Sequence, residues 1–517
     1  MNDQSPVSVG QLLFDSLTKY GDKTLLFIAD TGERVTHSEL LTWSVRAALR
    51  LREDGVRRGD IVSTCTDNHK YSWIPFLATQ FLGGISANFN SMLPPEEAVL
   101  LMRSIRPKVL FVSKDDREYV ERCLKEAGVD AKLVVFGSSF SDYIAQRDDE
   151  SDFKPATIDS VTETAVVIFS SGTTGLPKGV CLSHNSWYKI AQPISIRYTI
   201  NDDDAYVFLF CSTLYWITGI FNIVRSIYTG NVCVVCRKFD TVECWKYIEK
   251  YKVTVMFIGT FSIMDFVKSK PENIDASSLK LCYTGGSPVT VNMMKSLCEA
   301  LPHTKILLLY GMTETTGGFM SFDPTDDRQY EMQLAKPLSS GLMPEGVEWK
   351  VVDVNTNKIL GPNENGELRV KMEILMNGYF GVDSSEVFDS DGYFKTGDIC
   401  NYDEDKCFFI VDRIKEMIKY RGWQISPAFI VDVLLQHPAV SEAAVIGIPH
   451  EIDVDHPMGI VVVDKKTTEK EIADFVNSRV TDVQKLRAGV RIVEKIPKTV
   501  SGKVKKSALI ELVKDIV

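Results

Sequence analysis

An α/β fold of more than one domain is predicted by three features of the sequence. Short apolar runs alternate with stretches of helical periodicity, the pattern that builds mostly parallel sheets. At 517 residues the chain exceeds what one hydrophobic core holds. The pattern then changes along the chain: between about 341 and 409 it becomes short strands broken by Gly, Asn and Asp turns, as in a small barrel-like unit. From about 413 to 517 a second, smaller α/β unit follows.

Each element has its own warrant. Helical spacing of apolar residues opens the chain at Val9 to Leu17, and Gly32-Glu-Arg-Val-Thr-His-Ser-Glu-Leu40 reads as a hairpin leading into a helix. Asp60 to Cys65, Val109 to Ser113, Thr164 to Phe169, Asn231 to Cys236, Val255 to Ile258 and Lys305 to Leu309 are short apolar strands. Ala443 to Gly447 and Gly459 to Val463 are strands of the second unit. No internal repeat or low-complexity tract interrupts the series.

The segment Phe169-Ser-Ser-Gly-Thr-Thr-Gly-Leu-Pro-Lys-Gly-Val180 carries the most chemistry. Its glycines, serines and threonines offer N–H and O–H donors without bulk, and Lys178 adds a cation, so the loop can wrap a polyphosphate. It follows an apolar strand, the place where α/β sheets bind ligands. It is not a Walker A loop, because Pro177 precedes the lysine and Gly179 follows it. Further along come Gly285-Gly-Ser-Pro288, Tyr310-Gly-Met-Thr-Glu-Thr-Thr316, Gly366-Glu-Leu368, Lys395-Thr-Gly-Asp398, Val411-Asp-Arg-Ile-Lys-Glu-Met-Ile-Lys419 and Pro497-Lys-Thr-Val-Ser-Gly-Lys503.

In this order these motifs make the chain resemble, over nearly its whole length, the adenylate-forming acyl-activating enzymes: acyl-CoA synthetases, 4-coumarate–CoA ligases and beetle luciferases. Any one of them alone would be an ordinary turn or a solvated charge; the ordered set carries the resemblance. It implies an adenylation domain over 1–412, built of two αβ sheet subdomains and a small β-barrel, and a mobile α+β C-terminal domain over 413–517 that pivots at Lys415.

The resemblance also implies roles. Activating a carboxylate with ATP brings an anion against a tetra-anion, so fixed charges must neutralise and align the two. Ser171, Gly172, Thr173, Thr174, Gly175 and Lys178 would bind the nucleotide, with Thr173, Thr174 and Lys178 donating to the outgoing pyrophosphate and Thr313 to the α-phosphate. Glu314 would hold Mg2+, a hard ligand for a hard cation. Gly286, Ser287, Pro288, Tyr310 and Gly311 would border adenine, while Asp398 and Arg413 would bind ribose. Lys503 would place its ammonium between the attacking carboxylate and the α-phosphate. After rotation of the C-terminal domain, Lys419 and Gly422 would face the site for transfer of the acyl group to coenzyme A.

Two positions depart from the family pattern. Thr213-Leu-Tyr-Trp-Ile-Thr-Gly219 aligns with F-H-x-x-G, so Trp216 stands where a histidine is usual, with Gly219 after it. An indole has no second ring nitrogen to accept or donate a proton, but it can wall the acyl pocket. A hydrophobic acid, fatty or aryl, is therefore expected in preference to acetate. The second departure, Pro427-Ala-Phe-Ile430, replaces a frequent acidic residue and implies a local packing change. Three functions stay open: acyl-CoA ligation, a luciferase-type monooxygenation of the adenylate, and a catalytically weak binding-only relative.

Composition narrows the partners. A net charge of −11 argues against nonspecific nucleic-acid binding, although the part from Arg413 onward is mildly basic. The expected partners are a carboxylic acid and coenzyme A. Eleven cysteines are scattered. Strand alternation puts Cys233 and Cys236 on opposite faces, which disfavours a shared metal or disulfide. Twenty residues from Ala205 to Val224 carry no charge, but Ser212, Thr213, Thr218 and Asn222 dilute the run, so it is expected as core rather than a membrane span. The N-terminus lacks the pattern of a secretory signal, and Lys514-Asp-Ile-Val517 is not an S-K-L address; a cytoplasmic location is the expectation, with a peroxisomal or membrane-associated one left open.

Overall fold

The computed structural model describes residues 7–170, 178–192, 206–499 and 502–513. Two large sheets dominate. One runs in the spatial order 317–320, 305–312, 281–285, 255–259, 207–210, 232–235, 24–28, 34–36. Its interior pairs are parallel, and only the two ends are antiparallel. The other runs 378–379, 178–183, 164–170, 85–87, 61–65, 109–112, 132–135. Strand Val109–Val112 is buried at every position, as expected of a parallel strand covered on both faces.

The expected elements form where the pattern placed them. The first helix spans Val9–Tyr20. The Gly32 to Leu40 entry is a strand, Arg34–Thr36, feeding the helix His37–Glu53 through a capping box of Thr36 and Glu39. Helices 9–20, 37–53, 74–81, 184–191 and 217–229 pack on one another in a core that takes side chains from both sheets. Helices 95–105 and 117–127 cover the outer face of the second sheet, and 241–251, 263–268 and 291–300 that of the first. Cys233 points into the central core and Cys236 into the outer one, on opposite faces as alternation requires.

The charge-free run is a short strand, Val207–Phe210, followed by helix Ile217–Thr229. No helix among the described residues is long and apolar enough to cross a membrane. The segment expected as a small barrel holds an antiparallel sheet in the order 348–352, 366–371, 394–402, 408–413. The C-terminal unit is built on a long hairpin, Val440–His450 with Val454–Val463, flanked by Ile418–Tyr420, Trp423–Ile425 and Val490–Ile492. The chain passes into it directly from strand Phe408–Arg413 through a single turn at Ile414–Glu416. There the Asp412 carboxylate accepts from Ser426 Oγ at 2.8 Å and Ala428 N at 3.3 Å.

Three neighbouring parallel strands end in register, Gly259 beside Gly285 beside Leu309. The segments 260–262 and 286–288 therefore leave the sheet at one edge, its carboxyl edge, and 313–316 follow the third strand there beyond Met312. Glycine is required at 285, where a Cβ would lie 2.1 Å from the Leu309 carbonyl oxygen. Gly285→Ala is expected to force these strands apart and cost about 1–3 kcal/mol, read as a lower thermal midpoint.

Candidate active site

The site grows from the end of strand Lys305–Met312. Tyr310 is buried there, edge-on to Phe319, and its hydroxyl donates to Asp398 Oδ2 at 2.7 Å. Asp398 comes from strand Phe394–Tyr402 and lies directly opposite Arg413 in the ladder. The other carboxylate oxygen takes Arg413 Nε at 2.9 Å. Burial, then the Asp398 charge, holds the Tyr310 hydroxyl far above its ordinary pKa, so it stays a donor. Tyr310 was expected as an aromatic face; the structure also makes it a hydrogen-bond anchor for the carboxylate.

After Tyr310 the chain makes a tight turn, Thr313–Thr315. Thr315 Oγ1 accepts from Met312 N at 3.0 Å and lies 2.9 Å from the Gly317 carbonyl. Thr316 follows with φ +56°, its hydroxyl on the Ile374 carbonyl. Gly311 is needed because a Cβ there would lie 2.1 Å from Gly317 O. This bracing presents Thr313 half-exposed and Glu314 buried.

Tyr379 ties the next two groups together. Its hydroxyl donates to Glu314 Oε1 at 3.1 Å, while Lys178 Nζ sits 4.7 Å from the centre of its ring. A cation–π contact of this kind orients an exposed lysine without consuming its donors. Nothing in the motifs pointed to Tyr379; its two-residue strand pairs with Val180 and Cys181, a nonlocal contact with no local sequence mark. Lys178 begins the strand that pairs antiparallel with Thr164–Ser170. Ser171, Gly172, Thr173, Thr174 and Gly175 lie outside the described residues.

Gly286, with φ +91°, turns the chain after strand Leu281–Gly285, and Ser287 Oγ shares a hydrogen bond with Thr260 Oγ1. Pro288 follows on the same turn. Lys503 enters from the C-terminal unit and is half-buried. Burial and the Arg413 charge lower its pKa below 10.5, against the opposing pull of Asp398, Glu314 and Glu416. Tyr310, Asp398 and Arg413 thus bond to one another, with Glu314 and Lys503 within electrostatic reach of Arg413.

Lys415 is exposed in the turn that joins the two units. Lys419 and Gly422 sit on an exposed hairpin, where Lys419 N donates to Asp455 within the C-terminal unit. Trp216 caps helix Ile217–Thr229 and packs edge-on against Tyr215. Among the described residues, a small cavity beside the site is lined by Thr218, Phe221, Asn222, Phe257, Tyr283 and Leu309, with Gly317 and Gly318 closing it. A Cβ at Gly219 would lie 2.1 Å from the Thr213 carbonyl oxygen, so this glycine serves close packing of the helix start.

Glu314 suits a magnesium ion by donor type: one carboxylate with substrate phosphates as the remaining oxygens. A second cluster, His450, Asp453 and His456, lies on the C-terminal hairpin. Its imidazoles stack at 3.9 Å and 17°, so their in-plane lone pairs run side by side and do not converge on a cation. Asp453 instead pairs with Arg421 and His456.

The pattern of the family described as "AMP-binding enzyme" matches residues 13–380, and that of the "AMP-binding enzyme C-terminal domain" matches 432–503. The chain belongs to the AMP-binding enzyme family. Members of this family are adenylate-forming, acyl-activating enzymes. Among its relatives is luciferin 4-monooxygenase of Nipponoluciola cruciata, 32% identical, with 94% of this chain and 90% of that protein covered. Another is the peroxisomal OPC-8:0-CoA ligase 1 of Arabidopsis thaliana, 30% identical over 94% of this chain and 89% of that one. A solved structure, the luciferase-like enzyme from the nonluminescent mealworm Zophobas morio, is 34% identical and superposes with a TM-score of 0.75. It covers 81% of this chain and 98% of its own. The fold is that of the adenylate-forming enzymes, mixed α/β with several sheets and a small C-terminal domain.

Proposed function

We propose that this AMP-binding enzyme is an acid–thiol ligase: it joins a hydrophobic carboxylic acid, fatty or aryl, to coenzyme A through an acyl-AMP intermediate, releasing AMP and pyrophosphate. What supports this is the bonded cluster of Tyr310, Asp398 and Arg413, with the half-buried Lys503 of the C-terminal unit within electrostatic reach of Arg413, Asp398 and Glu314. Asp398 and Arg413 would hold the ribose. Lys178, with the loop before it, would take the departing pyrophosphate, and Thr313 would bind the α-phosphate. The acid carboxylate attacks the α-phosphorus, the bond to pyrophosphate breaks, and the Lys503 ammonium balances the charge that builds between them. A magnesium ion held by Glu314 would neutralise phosphate charge. The C-terminal unit, taken as 413–517, would then pivot at Lys415 to bring Lys419 and Gly422 to the acyl-AMP.

The indole of Trp216, as a wall of the acyl pocket, would favour a hydrophobic acid over acetate. Release of AMP, measured over a panel of acids with and without coenzyme A, tests the proposal. CoA-dependent AMP release that is greater with fatty or aryl acids than with acetate supports it; no acid-dependent release refutes it. Similarity to luciferin 4-monooxygenases favours a second reading, oxidation of the adenylate by oxygen. Oxygen uptake with an adenylated acid, in the absence of coenzyme A, would select it.

Glu314→Gln should raise the magnesium concentration needed for half-maximal activity, because it removes the site's anionic oxygen while keeping an acceptor for Tyr379. An unchanged magnesium titration would make Glu314 a structural residue.

A further inference from the structure

Lys503 belongs to the C-terminal unit, so its place in the site depends on what seats that unit. The turn that carries it is closed by Thr499 N on Lys503 O at 2.7 Å and Gly502 N on Thr499 O at 2.9 Å. Gly502 has φ +77° and no side chain. A Cβ there would lie 2.7 to 2.9 Å from Cγ, Cδ1 and Cδ2 of Phe261. The aromatic ring thus lies flat on the backbone immediately before Lys503.

Phe261 is itself fixed. It follows strand Val255–Gly259, and a Cβ at Gly259 would meet its Cε1 at 2.6 Å, so the ring fits between two glycines. Thr260, next to it, is bonded to Ser287 on the adjoining turn. Apart from this packing the ring is 55% exposed, which a phenylalanine with only a core role would not be.

We infer that Phe261 is a positioning residue: its ring is the seat on which the Gly502 backbone lands, setting Lys503 at the carboxylate–phosphate junction for adenylation. This rests on the adenylation reading of the site. Phe261 touches no reacting atom. It acts by favouring the docked arrangement, and glycine at 502 is what lets the ring approach.

The test uses the full chain in two assays. Substrate-free acetylation footprinting reads docking directly: Phe261→Ala should raise Lys503 modification roughly ten-fold, the effect of losing a half-buried ring, and leave Lys498 unchanged. In ATP–pyrophosphate exchange with dodecanoate or 4-coumarate, kcat should fall roughly 10- to 100-fold. The KM for ATP should stay within about two-fold, and Phe261→Leu should restore most of the rate. Lys503→Ala is run beside it. If that variant keeps full exchange, the adenylation reading fails, and footprinting alone decides the seat: unchanged Lys503 labelling in Phe261→Ala overturns it. If Lys503→Ala abolishes exchange while Phe261→Ala keeps both its rate and its labelling pattern, the seat is overturned and the adenylation reading stands. Equal loss of kcat and ATP affinity that leucine does not restore also overturns it.

Discussion

Lys503→Ala is expected to lower acid-dependent ATP–pyrophosphate exchange by about 100- to 1000-fold, the usual cost of deleting one fixed charge aimed at developing charge. Thioester formation from supplied acyl-AMP should survive, because the ammonium is used only in the first half-reaction. Equal loss in both assays would refute the assignment. The same residue gives a pH signature. Its pKa is lowered first by burial and second by Arg413, below the ordinary 10.5. The charged form is the active one, so exchange should decline as pH rises through that lowered value. Lys503→Arg, whose guanidinium stays protonated, should remove this alkaline limb whatever rate it retains. A limb that persists in the arginine variant belongs to another group.

Asp398→Ala is expected to damage both stability and ATP use. Asp398 receives the Tyr310 hydroxyl at 2.7 Å and Arg413 at 2.9 Å, and it is 4% exposed. Truncation leaves the buried Tyr310 donor without its acceptor, at about 1–3 kcal/mol. The loss of charged hydrogen bonds to ribose should raise the KM for ATP roughly 10- to 100-fold. Asp398→Asn separates the two effects, since the amide oxygen can still accept from Tyr310. It should recover most of the thermal midpoint and leave ATP use impaired. An Asn variant with an ordinary KM for ATP would remove Asp398 from the nucleotide site.

Much of the fold was legible in the sequence because the relevant signals are local. Val109–Val112 is apolar and buried at every position, which marks a strand covered on both faces, and the apolar run Ile306–Leu309 marks the strand Lys305–Met312. Thr36 and Glu39 announce a helix start three residues apart. Tyr310, Glu314, Asp398, Arg413 and Lys503 sit in short motifs whose order along the chain is itself information, and of these Tyr310, Asp398 and Arg413 bond to one another.

What the tertiary structure alone decided concerns residues whose partners are distant along the chain. Tyr379 reaches Glu314 and Lys178 only because its two-residue strand adds to an edge formed some 200 positions earlier, at Val180 and Cys181. Phe261 looks like an ordinary apolar residue until Gly502 is laid on its ring. Sequence by itself determined which segments become strands and helices and which chemical groups are available, because backbone propensity and apolar periodicity act over a few residues. Which of those groups face one another was decided by the packing of two sheets, a small antiparallel sheet and a separate C-terminal unit, since burial rewards contacts without regard to their separation along the chain.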